Sequence, residues 1–410
     1  MASVAEAWAA PFRRPGFSPW AVANGASTFS WALGNVIFSW VALVVTDDPL
    51  AVGAVFAVRF IAMMLFGIPA GVLADRVDRR LLIMVVSLVS AALAAGLGVL
   101  AAVNGGDLGF WALAAGSFLL GVLDTARIAS GTAYTVDLVG PALATAGIAV
   151  LGIVAQLGNI GGNLAGGVLL SEVGLPLSFG ATAVGLVCVA AILGASRSRG
   201  RTTEPGGGTG EAREHASLRR AFTLLRRDPT IALLTLAVIV VEVLGFSSMT
   251  LLPVFAKDVY DGGPDAYGLM VAVRSVGSVV GLLVLVRLGA RHTSGPALMV
   301  SSGLMGVALI LFSVAPGFLG ALLFLAAFGA MAASMDALSQ SLMQRASADA
   351  ERGAAMGLWT FAVGCGPFGH LAIGAAAGRW GPVPTQLVFA GLLIAFAVAM
   401  LFVPRIRALR

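Results

Sequence analysis

Charged residues are scarce in this 410-residue sequence, making up only 11% of it. About 25% is typical of soluble globular chains. Apolar residues account for 59%, and the mean hydropathy is +0.96. Even a 300-residue soluble domain leaves roughly a quarter of its chain surface in water. The composition therefore excludes a soluble enzyme, a secreted disulfide scaffold and a disordered chain, and it predicts a membrane protein.

Cysteine and lysine are also rare. The two cysteines, Cys188 and Cys365, lie inside apolar runs, which argues against a disulfide framework and against a metal site. The one lysine is Lys257, and no Gly-x-x-x-x-Gly-Lys-Ser/Thr loop occurs in the sequence. A nucleotide-binding loop of that type is therefore not expected in this chain.

Long apolar runs are abundant instead. A spanning helix needs about 20 apolar residues, and glycine, proline and charge clusters divide the chain into twelve such runs. The predicted fold is all-α, with twelve transmembrane helices in two six-helix bundles. The predicted spans are 20–45, 50–74, 81–103, 108–133, 141–170, 176–196, 229–256, 264–288, 295–315, 317–343, 351–378 and 383–403.

The basic residues predict the orientation of these spans. With the amino terminus in the cytoplasm, 20 of the 25 lysine and arginine residues fall on the cytoplasmic side and two on the other, with three inside spans. Lysine and arginine accumulate in short cytoplasmic loops. We therefore expect both termini in the cytoplasm of a multi-pass protein of the inner (cytoplasmic) membrane. These basic loops explain the high pI without a nucleic-acid partner.

The chain divides into two related halves. Residues 1–196 and 229–410 each hold six spans, and residues 197–228 form a Gly- and Arg-rich cytoplasmic linker with a predicted surface helix. Arg59 and Arg274 follow similar sequences at the same depth of the two halves. Two parallel six-span repeats are a known transporter architecture, with the substrate site between them.

The loop after the second span carries a signature. It reads Gly71-Val72-Leu73-Ala74-Asp75-Arg76-Val77-Asp78-Arg79-Arg80. This resembles the loop motif Gly-x-Leu-Ala-Asp-Arg-x-Gly-Arg-Arg of the major facilitator superfamily, with Asp78 in place of the glycine. The resemblance implies the major facilitator fold and alternating-access transport.

The same loop predicts a gate, for which we select Gly71, Asp75, Arg76, Arg79, Arg80 and Asp137. Glycine allows close helix approach, and a carboxylate at Asp75 can interact with a helix amino terminus. The arginines can pair with Asp137, and such contacts would hold the cytoplasmic ends of the halves together. As an alternative, the arginines serve only as positive-inside anchors.

Two further segments resemble the export branch of this superfamily. Residues 158–167 read GNIGGNLAGG, similar to the antiporter motif Gly-x-x-x-Gly-Pro-x-x-Gly-Gly, with Asn163 in place of the proline. Residues 249–259 resemble siderophore and macrolide exporters. Plain helix packing is the alternative explanation for the glycines.

Ionisable residues inside spans are costly and mark functional sites by default. Glu242 lies mid-span with no charged neighbour in sequence, so desolvation disfavours its charged form. We assign proton coupling to Glu242, Asp336 and Asp124. Asp124 and Arg127, three residues apart, share a helix face and can pair. For each of these groups the alternative role is a buried ion pair that locks helices together.

The predicted substrate cavity combines polar, basic and aromatic side chains. Its members are Asn24, Asn35, Arg59, Arg127, Gln156, Asn159, Phe246, Arg274, Gln340, Trp359 and His370. Arg59 and Arg274 would serve as counter-ions or bind acidic substrate groups.

These features predict a monomeric, proton-coupled exporter of small amphipathic compounds such as drugs, antibiotics or siderophore-like metabolites. Its expected partners are the substrate, protons and the bilayer. No cofactor is expected, because the proton gradient is the energy source. A nutrient importer with the same fold is the alternative. An enzyme is not expected, because no His/Asp/Glu cluster has ligand spacing.

Overall fold

The computed structural model describes residues 9–196, 223–289, 293–348 and 351–409. Within these ranges the regular elements are helices and no strand occurs. The main helices are α1 (Phe17–Thr46), α2 (Pro49–Arg76), α3 (Arg79–Val103), α4 (Phe110–Val139), α5 (Ala144–Glu172), α6 (Gly174–Ala195), α7 (Pro229–Leu244), α8 (Pro264–Leu288), α9 (Gly295–Ser313), α10 (Gly317–Ala346), α11 (Arg352–Val363), α12 (Gly366–Trp380), α13 (Pro382–Leu401) and α14 (Pro404–Ala408).

Twelve helical segments of the described ranges are long and apolar enough to cross a membrane, which confirms the predicted all-α, twelve-span fold. Helices are the expected solution, because a lipid-facing chain must satisfy its backbone hydrogen bonds internally. Most predicted limits agree to within a few residues. The span predicted at 81–103, for example, is observed as Arg79–Val103. Most of the predicted linker, residues 197–222, lies outside the described residues.

The seventh and eleventh spans are interrupted, unlike the continuous helices predicted for 229–256 and 351–378. The seventh, Pro229–Val259, leaves the α-helical path at Gly245 and continues as a 3-10 turn, Phe246–Thr250. It then forms a short α turn, Leu252–Val254, and a π-helical segment, Phe255–Val259. The eleventh span is divided between Val363 and Gly366. Glycine and proline explain both interruptions, because they weaken or break helices in their interiors.

Residue contacts divide the chain into two compact units. Unit 1 comprises the described residues of Met1–Asp47, Val58–Gly206 and Gly262–Ala272. Unit 2 comprises those of Asp48–Ala57, Gly207–Asp261 and Val273–Arg410. In unit 1, α1 packs against α5 and α6, and α3 packs against α4 and α6. In unit 2, α9 packs against α10 and α13.

Glycines allow the closest helix contacts in both units. In unit 1, Gly162 of α5 lies against the backbone of α1 at Phe29. In unit 2, Gly277 of α8 meets the carbonyl of Ala326, and Gly329 of α10 meets the carbonyl of Arg274. At each position a Cβ atom would collide with backbone, so these contacts require glycine.

Candidate functional site

A pair of acidic side chains lies inside unit 2. Glu242 on α7 and Asp336 on α10 are close enough for their charges to interact. Gln340, one turn after Asp336, forms a side-chain hydrogen bond with it. A Cβ atom at Gly366 would lie 3.5 Å from Glu242 Oε2, so this carboxyl faces the start of α12. Within the described ranges, neither carboxyl forms an ion pair with a basic side chain.

The position of this carboxyl pair follows from the two interrupted spans. Glu242 stands three residues before Gly245, where α7 ends, and the eleventh span restarts as α12 at Gly366. Half-helix ends inside membranes commonly surround transporter sites. The amino terminus of α12 attracts negative charge. Two ionised carboxyls whose charges interact in a low dielectric repel each other. Protonation of one carboxyl removes that repulsion, so the pair has the chemistry to bind and release a proton.

Unit 1 contains a different arrangement, which we term the charge cluster: Arg59, Asp124 and Arg127. Arg59 Nη2 donates to Asp124 Oδ2 at 2.5 Å. Arg127 Nη2 lies 3.1 Å from Asp124 Oδ1, which is the pair that the three-residue spacing predicts. The three side chains are only 9–12% exposed. Asp124, one of the residues predicted for proton coupling, therefore has two basic partners, whereas Glu242 and Asp336 interact with each other.

Two further side chains of α1 hold Arg59. Its Nη1 donates to Asn35 Oδ1 at 2.8 Å. The guanidinium carbon lies 5.4 Å from the centre of the Trp31 ring, within range of a cation–π interaction. Asn35 belongs to the predicted substrate cavity, and Trp31 is an aromatic side chain that the sequence offers as stacking surface. Trp31 stands one helical turn before Asn35, and residues four apart share a helix face.

The predicted gating residues form bonds within unit 1. Arg79 Nη1 donates to both oxygens of Asp137, at 2.7 and 2.9 Å, and Arg79 Nε donates to the carbonyl of Ala74. Arg80 donates to the carbonyls of Leu193 and Gly194 at the end of α6. These bonds join helices of unit 1, and the predicted link between the halves stays a prediction.

The rest of the gating loop is less connected among the described residues. Arg76 is exposed, and a Cβ atom at Gly71 would meet no other atom within 4 Å. The Asp75 side chain lies outside the part of the chain that the structure describes. Asp78, which departs from the family motif, caps α3 by accepting a hydrogen bond from the Leu81 amide.

His370 lies in a buried polar cluster of unit 2. Its Nδ1 is 2.8 Å from Thr250 Oγ1, and its ring stacks on Phe56 with centroids 5.1 Å apart. Nearby in sequence, Ser248 accepts a hydrogen bond from the buried Gln386. Thr250, Ser248 and Gln386 were not selected from the sequence. Single hydroxyls and amides in apolar runs carry no spacing signal that would identify them.

The remaining predicted cavity residues are spread over both units. In unit 1, Asn24 donates weakly to the Leu151 carbonyl, and Asn159 donates to Gln156 one turn away on α5. In unit 2, Trp359 donates to Ser339 at 3.2 Å, and Phe246 is half-buried in the 3-10 turn. The sequence prediction that these side chains line one cavity stays a prediction.

The glycines of the antiporter-like segment pack α5 onto α1. Gly158 lies against Thr28 and Gly25, Gly162 against Phe29, and Gly166 against Leu33 and Val36. The four-residue spacing places all three on one helix face. Close helix packing is therefore a structural role of this segment.

Comparison with known proteins identifies the family. The family model described as Major Facilitator Superfamily matches residues 20–264 and 243–410. No curated protein sequence matches the chain. One similar solved structure is a POT family transporter in complex with a thioalcohol-conjugated peptide, with a TM-score of 0.76 and 11% identity, covering 95% of this chain and 96% of that one. Another is a bacterial homologue of the human lysosomal transporter Spinster, with a TM-score of 0.74 and 15% identity, covering 95% of this chain and 97% of that one.

A third similar structure is the nucleoside transporter NupG, with a TM-score of 0.74 and 16% identity, covering 94% of this chain and 98% of that one. At these identities the likeness establishes the fold, and the family match establishes membership. The chain is a multi-pass membrane transporter that belongs to the major facilitator superfamily.

Proposed function

We propose that this transporter is a proton-coupled secondary active exporter of small amphipathic compounds, with Glu242 and Asp336 as its proton-binding pair. The observation that carries the proposal is that the charges of these two carboxyls interact, without a basic partner among the described residues, beside the start of α12. An ion pair that locked helices together would need a positive partner. The pair has the chemistry of an exchange site instead.

In the proposed cycle, a proton from the outer side neutralises one carboxyl of the pair and removes the repulsion between the two. Substrate binding and proton release on the cytoplasmic side restore the charge and favour the opposite state. A ligand shifts such an equilibrium only by its differential affinity for the two states. The assignment of sides rests on the 20 basic residues that fall on one side of the membrane.

Export is supported by the sequence resemblances at residues 158–167 and 249–259. An importer with the same fold is the second candidate, because similar solved structures include transporters of peptides and nucleosides. We further propose that the protein acts as a monomer in the inner membrane. Its substrates are drugs, antibiotics or siderophore-like metabolites.

The test is the substitution Glu242→Gln in everted membrane vesicles energised to an acidic interior. A panel of dyes, macrolides and siderophore-like acids is added, and a pH-sensitive fluorophore reports the protons that leave. In the wild type, at least one compound should collapse the pH gradient. Glu242→Gln should lower the substrate-induced proton flux at least about tenfold, because it removes one essential proton-binding group.

A matched control is Asp107→Asn, which neutralises an exposed carboxyl outside the spans. The control should retain the wild-type flux. Substrate exchange without a gradient should survive in Glu242→Gln, which separates coupling from folding. Unchanged proton flux in Glu242→Gln would refute the assignment of this residue. Uptake that is driven into whole cells by the gradient would establish the importer instead.

A further inference from the structure

The charge cluster of unit 1 carries an excess positive charge. Two guanidinium groups, Arg59 and Arg127, share one carboxylate, Asp124, so the described side chains of the cluster sum to one positive charge. Asn35 contacts Arg59 as a neutral acceptor, and Trp31 contributes only a ring face. A buried charge without a full counter-charge costs several kcal/mol in a medium of low dielectric. An anion at this place would therefore be strongly favoured.

A cavity lies beside the cluster. Its lining includes Arg59, Asp124, Ser27, Ser30, Ser90 and Thr182, and most of the lining surface is apolar. The space open to the centre of a water molecule is about 20 Å³. A cavity needs about 10–15 Å³ on this measure to hold one water. The space thus suits one water-sized or slightly larger ligand and excludes a whole amphipathic substrate.

Two buried donors of the cavity lining have no partner among the described residues. They are Arg59 Nε and Ser27 Oγ. Arg59 is 7% exposed and Ser27 is 3% exposed. A buried donor without an acceptor costs about 1–3 kcal/mol. An anion beside Arg59 would balance the excess charge, and an N–H or a hydroxyl that turned toward the anion would gain an acceptor.

We propose that the charge cluster and this cavity form a binding site for one small monovalent anion, either a halide or the carboxylate of a small acid. The site lies within unit 1 and uses none of the proton-binding residues of unit 2. It does not depend on proton coupling or on the direction of transport. Its occupant neutralises the cluster and connects α1 and α2 through Ser27 and Arg59.

The test uses the purified full-length protein in detergent, with gluconate as the reference anion because it is too large for the cavity. Chloride, bromide and formate are titrated at constant ionic strength, and thermal unfolding is followed by tryptophan fluorescence. A ligand that binds only the folded state raises the unfolding midpoint with its concentration. Chloride and bromide should raise the unfolding midpoint if the ion is a halide. Formate should raise the midpoint more than either halide if the site takes a carboxylate. Bromide anomalous scattering in crystals would locate the ion beside Arg59.

Two variants separate this site from general salt effects. Arg127→Gln leaves the neutral Arg59–Asp124 pair and should weaken anion binding at least about tenfold, because the excess charge is gone. Ala94→Leu fills the cavity from a fully buried lining position and should abolish the titration without changing any charge. Arg407→Gln, in the exposed carboxy-terminal segment, should titrate like the wild type.

Equal midpoints in gluconate, chloride, bromide and formate would overturn the proposal. An anion effect that persists undiminished in Ala94→Leu would also overturn it, since a surface effect does not need the cavity. If Arg127→Gln fails to fold, the comparison of the anion titrations of Ala94→Leu and the wild type still tests the proposal. None of these measurements requires transport, so their failure is distinguishable from failure of the proposed export.

Discussion

The two units handle buried charge in opposite ways. Unit 1 surrounds one carboxylate with two arginines, and its spans α1 and α5 are continuous helices of 30 and 29 residues. Unit 2 brings Glu242 and Asp336 together without a basic partner among the described residues, beside two interrupted spans. The related sequence patterns of the halves therefore serve different purposes. In our proposals, unit 1 uses its buried charges for structure and for binding an anion, whereas unit 2 uses its carboxyls to bind protons.

The largest expected difference in stability is between the variants Asp124→Asn and Asp336→Asn. Asp124→Asn leaves Arg59 and Arg127 buried without their carboxylate, and breaking a buried pair costs about 3–5 kcal/mol. Asp336→Asn alters one hydrogen bond to Gln340 and should cost about 1 kcal/mol or less. Thermal unfolding of both purified variants, followed by tryptophan fluorescence, measures the difference. Equal losses of stability would contradict the contrast between the units.

A second comparison concerns the continuous helices of unit 1. Gly162→Leu forces a side chain into the backbone of α1 at Phe29, and overpacking of this kind costs about 1–3 kcal/mol or more. Gly152→Leu on the same helix is the control, because a Cβ atom there meets nothing within 4 Å. The yield of folded protein and its unfolding midpoint should fall only for Gly162→Leu. If both variants behave alike, the α1–α5 contact is not tightly packed.

The smallest expected effects concern helix caps in the two units. Asp78 accepts one backbone hydrogen bond at the start of α3, and Asp228 accepts two at the start of α7. Asp78→Ala should cost about 1 kcal/mol, whereas Asp78→Gly, which restores the family glycine, should cost only a few tenths. Asp228→Ala should cost more than Asp78→Ala. Unfolding midpoints in one detergent would rank the three variants, and a reversed ranking would show that other contacts dominate these caps.

The sequence predicts the number and limits of the spans well, because a lipid environment demands long apolar helices. It does not predict the interruptions at Gly245 and Gly366, since hydropathy averages over a window and ignores backbone hydrogen bonds. The Asp124–Arg127 pair follows from helix periodicity alone. The Arg59–Asp124 bond spans 65 residues of sequence and depends on how α2 packs against α4.

Sequence similarity between the halves also has limits as a guide. Arg59 and Arg274 occupy matching positions in the two repeats, and Arg59 pairs with Asp124. The backbone carbonyl of Arg274 lies against Gly329 of α10. Side-chain partners depend on the neighbouring helices, which the local sequence does not specify.

The glycine contacts between α8 and α10 have a mechanical consequence. Gly277 and Gly281 bring α8 against the carbonyls of Ala326 and Ala330, and Gly329 brings α10 against the carbonyl of Arg274. Backbone on backbone leaves no flexible side chain between the helices to absorb a displacement. Close-packed interiors are stiff and transmit strain. The two helices should therefore move as one rigid body. A tilt of α8 then also displaces Asp336 on α10 and is transmitted to the carboxyl pair.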